Sequence, residues 1–451
     1  MQRNRDKLLN TVKREVLQLL SQSLHHAVII NLIRQQPPQK LKRSWNLEVK
    51  VGKRPIFQLP AQVSIIQVFD RMRGKLLILG NPGAGKTTTL LELARKLVIR
   101  TEKEKKSPIP VLLDISTWQN NDQKISDWLI DQLNFKYNIP KKVTQDWLES
   151  QLLLPLIDGF DQVSPELSEH CLEGINKLSV DFQPKHLVVC SSFAAYKNCY
   201  NKLRVNGAVL LKPLINSHIQ DYLLVARSRE LWIYIQDEPE LLNLAKIPLM
   251  LSIMTLAYEE ILIAAWRRIT SKQGREKYLL NAYIRFQLGK KTNYKYYSRN
   301  QEPLPEKTRR WLAWLAKRMA AENIQEFRIE KLQSSWLDPN KELQIYKLIV
   351  NLISILFWGF TFGLIFGLVW ELKKGLIGGL IGGLIGGLID ERFCFPGLKM
   401  VALRIVLFSN GHIPWNYRRF LNYVSSRLLL QRIGDTYQFI HHLLYKHFAD
   451  M

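Results

Sequence analysis

Lys75-Leu76-Leu77-Ile78-Leu79-Gly80-Asn81-Pro82-Gly83-Ala84-Gly85-Lys86-Thr87-Thr88-Thr89-Leu90-Leu91 is the stretch on which the fold turns. The apolar run Leu76 to Leu79, bounded by glycine, reads as a buried strand, and the residues after Lys86 take up helical spacing. Gly80 to Thr87 between them matches GxxxxGK[ST] without exception. Strand, glycine-rich loop and helix in that order build an anion cradle, because backbone N–H groups and the helix N-terminus turn toward phosphate oxygens. Gly80, Asn81, Pro82, Gly83, Ala84, Gly85 and Thr88 are therefore expected to line the phosphates. Lys86 would hold the β- and γ-phosphates, and Thr87 would offer its hydroxyl to Mg²⁺.

A second motif completes the chemistry. Leu153-Leu154-Pro155-Leu156-Ile157-Asp158-Gly159-Phe160-Asp161 places carboxylates at the end of another apolar run. Asp158 is positioned to hold Mg²⁺ through water, and Asp161 to approach the attacking water, so ATP or ADP with Mg²⁺ is the expected cofactor set. Three further runs, Val111 to Ile115, His186 to Cys190 and Val209 to Leu211, alternate with helical patterns. The expected fold is α/β, a parallel sheet with helices on both faces.

Outward from this core the chain divides. Leu8, Val12, Val16, Leu19, Leu20 and Leu24 recur at helical spacing, so residues 1–60 read as an N-terminal helical region, a packed cap or a membrane-surface helix, followed by a basic linker. The nucleotide domain is expected over 61–215 and a helical domain over 216–345. Leu348 to Trp370 is then an uncharged apolar stretch of 23 residues, long enough to cross a hydrocarbon core about 30 Å thick. Gly375 to Ile389 follows as a GLIG repeat. Glycines every fourth residue in both stretches, Gly359, Gly363 and Gly367 in the first, make a ridge that another helix can approach closely. A transmembrane hairpin is expected over 346–390, with membrane lipid as partner and the nucleotide domain on the cytoplasmic side. A soluble basic segment, 391–451, closes the chain.

The net charge of +25, with a pI near 9.8, suits an anionic membrane surface as well as nucleic acid. The cations are spread along the whole chain without a nucleic-acid-binding signature, so nucleic acid is not the expected partner. Four cysteines in no CxxC or Cys/His cluster suggest neither a zinc site nor a disulfide framework. Near the N-terminus Lys13, Arg14 and Glu15 interrupt any continuous apolar core, which argues against a signal peptide.

Neither an NKxD guanine motif nor an LSGGQ signature occurs. The sequence from Val63 onward instead resembles the NACHT family of STAND NTPases, in particular bacterial membrane-associated members. The resemblance rests on GNPGAGKTTTL, LIDGFDQ, LVVCSS with Tyr196, LLKPLINSHIQDYL, LAKIPLMLSIMTLAY and YQFIHHLLYKHFA. It implies a winged-helix-like domain over 391–451. It also implies that Pro248 packs near the adenine and that His441 meets the diphosphate in a closed, ADP-bound state. His441 can then meet a nucleotide held by Lys86 only if the chain crosses the membrane an even number of times. Two positions depart from the family pattern. Gln162 stands where a glutamate is usual, and Ser192 where an arginine senses the γ-phosphate. An amide cannot accept a proton as a carboxylate does, and loss of a cation facing the transferred group slows transfer by orders of magnitude. The resemblance thus implies an ATP/ADP switch in signalling or defence with weak or absent hydrolysis, a homo-oligomer on activation and a protein effector. A nucleotide-stabilised scaffold and a transport ATPase are the alternatives.

Overall fold

The computed structural model describes residues 2–23, 47–51, 57–58, 63–118, 122–226, 228–290, 296–298, 301–322, 324–369, 377–382 and 396–451. The chain forms two compact units, Met1–Lys290 and Lys291–Met451. In the first, all five apolar runs are strands: β3 (Lys75–Gly80), β4 (Ile109–Asp114), β5 (Leu153–Asp158), β6 (Leu187–Ser191) and β7 (Gly207–Leu211). They lie parallel in the order β7-β3-β6-β5-β4. Leu77 pairs with Val189 on one side and Ala208 on the other, and Ile157 also pairs with Val189. Helices Lys86–Lys103, Ile125–Tyr137 and Pro165–Asp181 connect them, as parallel pairing requires. The insertion of β6 between β3 and β5 brings the phosphate loop and Asp158 to the same carboxyl edge of the sheet, where open α/β sheets bind ligands.

The sheet is wider than the sequence reading. The segment expected as a basic linker contains β1 (Leu47–Val51) and β2 (Phe57–Gln58), which extend the sheet antiparallel beyond β7, with Val49 opposite Val209. Leu47-Glu48-Val49-Lys50-Val51 alternates apolar and charged residues, the pattern of an outer strand. Its charges obscured that alternation.

The N-terminal helix, Gln2–Ser21, is the packed cap of the two expected forms. Leu8, Leu9, Val12, Val16 and Leu19 are buried, and the helix lies against helix Lys86–Lys103 and β4. Leu24 falls outside the described residues. Along the same face Glu15, 5% exposed, meets Lys136 Nζ at 2.6 Å and accepts a hydrogen bond from Tyr137 Oη at 2.8 Å. Burial, together with the Glu15 charge, pushes the Tyr137 phenol well above its ordinary range. One polar triad therefore fixes the register of an otherwise greasy contact.

The second unit holds helices Pro305–Ala321, Glu342–Val369, Pro396–Ser409, Tyr417–Ser426 and His442–Ala449 and a hairpin of β8 (Leu430–Ile433) and β9 (Thr436–Phe439), on which Tyr417–Ser426 and His442–Ala449 pack. Phe327 bridges Tyr437 with reciprocal backbone hydrogen bonds of 2.7 and 2.8 Å. Helix Pro305–Ala321 packs on helix His442–Ala449, and Phe327, Trp336, Tyr417 and Phe420 fill the core. Helix Glu342–Val369 has 28 residues and extends about 42 Å at ~1.5 Å per residue. Within Glu342–Ile365 an 18-residue window has a mean hydropathy of 2.2 and is 11% buried, and this is the one continuous helix among the described residues long and apolar enough to cross a membrane. Of the GLIG repeat, residues 377–382 are described, as a short helix. A Cβ at Gly379 would lie 2.9 Å from the Gly359 carbonyl oxygen and 3.4 Å from Gly363 Cα, so the spaced glycines do meet backbone to backbone. The chain then returns to its point of departure. Glu342 accepts hydrogen bonds from Asn410 Nδ2 at 3.0 Å and faces His412 Nε2 at 2.7 Å.

Truncation of Glu15 leaves Lys136 and Tyr137 without their carboxylate partner in a buried setting. Glu15→Ala is expected to cost about 3–5 kcal/mol in docking of the N-terminal helix. Hydrogen exchange of the full chain should show lost protection over residues 2–21, and unchanged protection would mean that the apolar face alone holds the helix.

Candidate phosphate-binding site

β3 is buried from Leu76 to Leu79 and ends at Gly80. The loop closes with Ala84 N–H donating to Asn81 O at 3.0 Å. Gly85, at φ 91°, caps helix Lys86–Lys103. Asn81, Pro82 and Thr87 are exposed, while Gly83, Ala84, Gly85 and Thr88 are half-buried. Lys86 is 9% exposed; its Nζ donates to Gly80 O at 3.2 Å and lies 3.3 Å from Asp161 Oδ2. Thr87 Oγ1 donates to Asp158 Oδ2 at 2.6 Å, and Gly159 N–H to Asp158 Oδ1 at 2.9 Å. The motif residues of two strands separated in sequence thus form one cluster.

The electrostatics of that cluster are unbalanced. Burial raises the Asp158 pKa and the Asp161 charge adds to it, opposed by hydrogen bonds from Thr87 and Gly159 and by Lys86. The hydroxyl of Thr87 and the carboxylate of Asp158 are hard oxygen donors of the kind Mg²⁺ selects, so these two residues fit that ion. The loop amides, the helix N-terminus and the Lys86 ammonium fit a phosphate chain.

Pro248 opens helix Pro248–Leu256, and the residues around it touch the loop directly. Leu249 N–H donates to Gly83 O at 3.2 Å, and Leu214 N–H, just past β7, donates to Lys246 O at 2.8 Å. Gly83 has φ +79°, and a Cβ there would lie 2.9 Å from Ile247 Cγ2 and 3.2 Å from Leu249 Cβ. Any larger residue at Gly83 is excluded both by conformation and by this contact. Ile247 and Leu249 were not foreseen. The signal for them was the apolar pair flanking Pro248, which reads equally as ordinary helix core. His441 lies in the second unit, where its Nδ1 accepts from Leu443 N–H at 3.1 Å and caps helix His442–Ala449.

The two departures are also placed. Gln162 ends the turn Phe160–Gln162, and its side-chain oxygen is buried with no hydrogen-bond partner among the described residues. Ser192, 7% exposed, spends its hydroxyl on Ala195 N–H at 3.1 Å, capping helix Phe193–Asn198, which packs against that turn. Neither residue brings charge to the edge of the sheet. Cys190 on β6 sits beneath it, its thiol pushed up by burial and by Asp158.

Sheet order, loop geometry and the paired acidic strand define a P-loop nucleotide-binding fold of the α/β class, with a helical segment following the sheet. No family model matches the chain, and no curated protein is similar to it. Among solved structures it is similar to Cdc6p from Pyrobaculum aerophilum, at 13% identity and a TM-score of 0.29, over 89% of this chain and 96% of that one.

Phosphate has to compete with Asp161 for Lys86. Asp161→Asn is expected to tighten ATP or ADP binding in magnesium-free buffer about tenfold, the effect of ~1.4 kcal/mol. Calorimetric titration measures it, and weaker binding would show that Asp161 helps to hold the nucleotide.

Proposed function

We propose that the chain is a membrane-anchored ATP/ADP-binding switch of the NACHT type that holds nucleotide and hydrolyses it weakly or not at all. The observation that carries this reading is the convergence of Lys86, Thr87, Asp158 and Asp161 beside a neutral Gln162 and a Ser192 whose hydroxyl is already engaged. The loop and Lys86 bind and orient the phosphates. Thr87 and Asp158 hold Mg²⁺, which when bound neutralises charge on the phosphate oxygens. Gln162 and Ser192 supply neither a base for water nor a cation for the γ-phosphate, so binding outlasts chemistry.

Switching needs contacts that differ between nucleotide states. The backbone bond from Leu249 to Gly83 supports a role for the Pro248 segment in reporting loop occupancy. His441 is the second reporter, for the diphosphate of a closed state. Its Nδ1 is an acceptor in the helix cap, which puts the ring proton on Nε2.

The membrane part of the reading draws on helix Glu342–Val369, the glycine contact with Gly379 and the return to Glu342. A hairpin that starts and ends at one level keeps both flanking segments on one side of the cytoplasmic membrane. Lipid is then a constant partner, and exchange of ADP for ATP drives homo-oligomerisation and engagement of a protein effector. A nucleotide-stabilised scaffold is favoured by the same Gln162 and Ser192. Nucleotide-dependent assembly separates the two, since a scaffold assembles alike with ADP and ATP.

Membrane-extracted protein tests the core of the proposal. Lys86→Ala should lose ATP binding, and wild type should bind ATP with turnover near background. Ser192→Arg combined with Gln162→Glu should raise turnover by at least about tenfold. Tight binding by Lys86→Ala would overturn nucleotide binding at this loop, and brisk wild-type turnover with no gain on restoration would overturn the holding role.

A further inference from the structure

We propose that Phe408, Trp415 and Arg404 form a headgroup-level anchor at the foot of the hairpin and bind the anionic surface of the bilayer. The inference rests on the reading of helix Glu342–Val369 as a membrane span. Helix Pro396–Ser409 packs along that helix, and the bonds from Asn410 and His412 to Glu342 set their relative level. Arg404 then lies about 9 Å up the return helix from Asn410, at ~1.5 Å per residue, level with Leu348. On the outgoing helix that is where the charged residues stop, Lys347 being the last cation before the uncharged run to Trp370. On the return helix Lys399 stands five residues beyond Arg404, within snorkelling reach of the same rim. The guanidinium therefore sits at the edge of the apolar zone, and Phe408 and Trp415 lie on its polar side.

Phe408 is 46% and Trp415 59% exposed, while Val406, Leu407, Ile413 and Tyr417 around them are buried. The two rings meet edge to face at 5.5 Å, and Arg404 Nη2 donates to the Trp415 carbonyl at 3.0 Å. The loop bearing the tryptophan is thus tied to the return helix and holds its ring outward. Tryptophan, with an apolar body and one N–H, is enriched at the headgroup level of membranes. Arginine near a helix end reaches the interface with its charge while its stem stays in apolar surroundings. Arg404, Lys347 and Lys341, all within about two helical turns of Glu342, give the rim a positive face matched to anionic lipid.

Photocrosslinking of the full chain in vesicles decides the matter. Benzoylphenylalanine at Trp415 in vesicles of mixed phosphatidylcholine and phosphatidylglycerol should yield lipid adducts. Arg404→Gln should lower the ratio of anionic to neutral adducts about fivefold. The same probe at Phe360, 72% exposed on the long helix, reports the span itself. Lipid adducts at Phe360 with none at Trp415, or adducts at Trp415 to a second copy of the chain, would overturn the anchor and leave the span standing. Absence of lipid adducts at both positions would overturn the membrane reading with it.

Discussion

A buried ammonium at the end of the central strand sets the terms for the nucleotide unit. Lys86 lies between the Gly80 carbonyl and the Asp161 carboxylate, and a buried charge persists only where such partners meet it. The partners come from different strands, so the sheet must bring β3 and β5 to one edge with β6 between them. The beginning of helix Lys86–Lys103 and the docking of the Pro248 segment both follow from that edge. Thr87 and Asp158 repeat the arrangement one residue on, with a hydroxyl in place of the ammonium.

What the edge omits is as informative as what it holds. Each cation or base placed near a γ-phosphate lowers the barrier to transfer, while binding draws mainly on the loop and Lys86. At Gln162 and Ser192 the chain carries neutral groups, one without a partner among the described residues and one committed to a helix cap. In the function proposed above, such a site would favour a bound state over a reacted one, as a switch or a scaffold needs.

The apolar excursion of the second unit obeys a different constraint. Close backbone approach between helices, which small residues permit, gains dispersion along the whole line of contact. Gly359 and Gly363 against Gly379 provide that approach. Polar partners gather instead at the base, where Glu342, Asn410 and His412 join the outgoing and returning segments.

The five parallel strands were legible because a strand buried on both faces must be apolar throughout, and the phosphate loop because its chemistry is local, confined to eight consecutive residues. The glycine ridge was legible as spacing alone. The outer strands β1 and β2 were missed, since a strand pairing on the margin of a sheet carries charge that reads as linker. The contact of Ile247 and Leu249 with Gly83, the triad that ties Glu15 to residues 122 positions away, and the capture of Lys86 by Asp161 had no sequence signature. Sequence by itself determined which residues form the phosphate-loop motif and which runs are buried, because those properties reside in single segments. Tertiary structure alone decided which charges neutralise one another, because partners distant along the chain are chosen by packing.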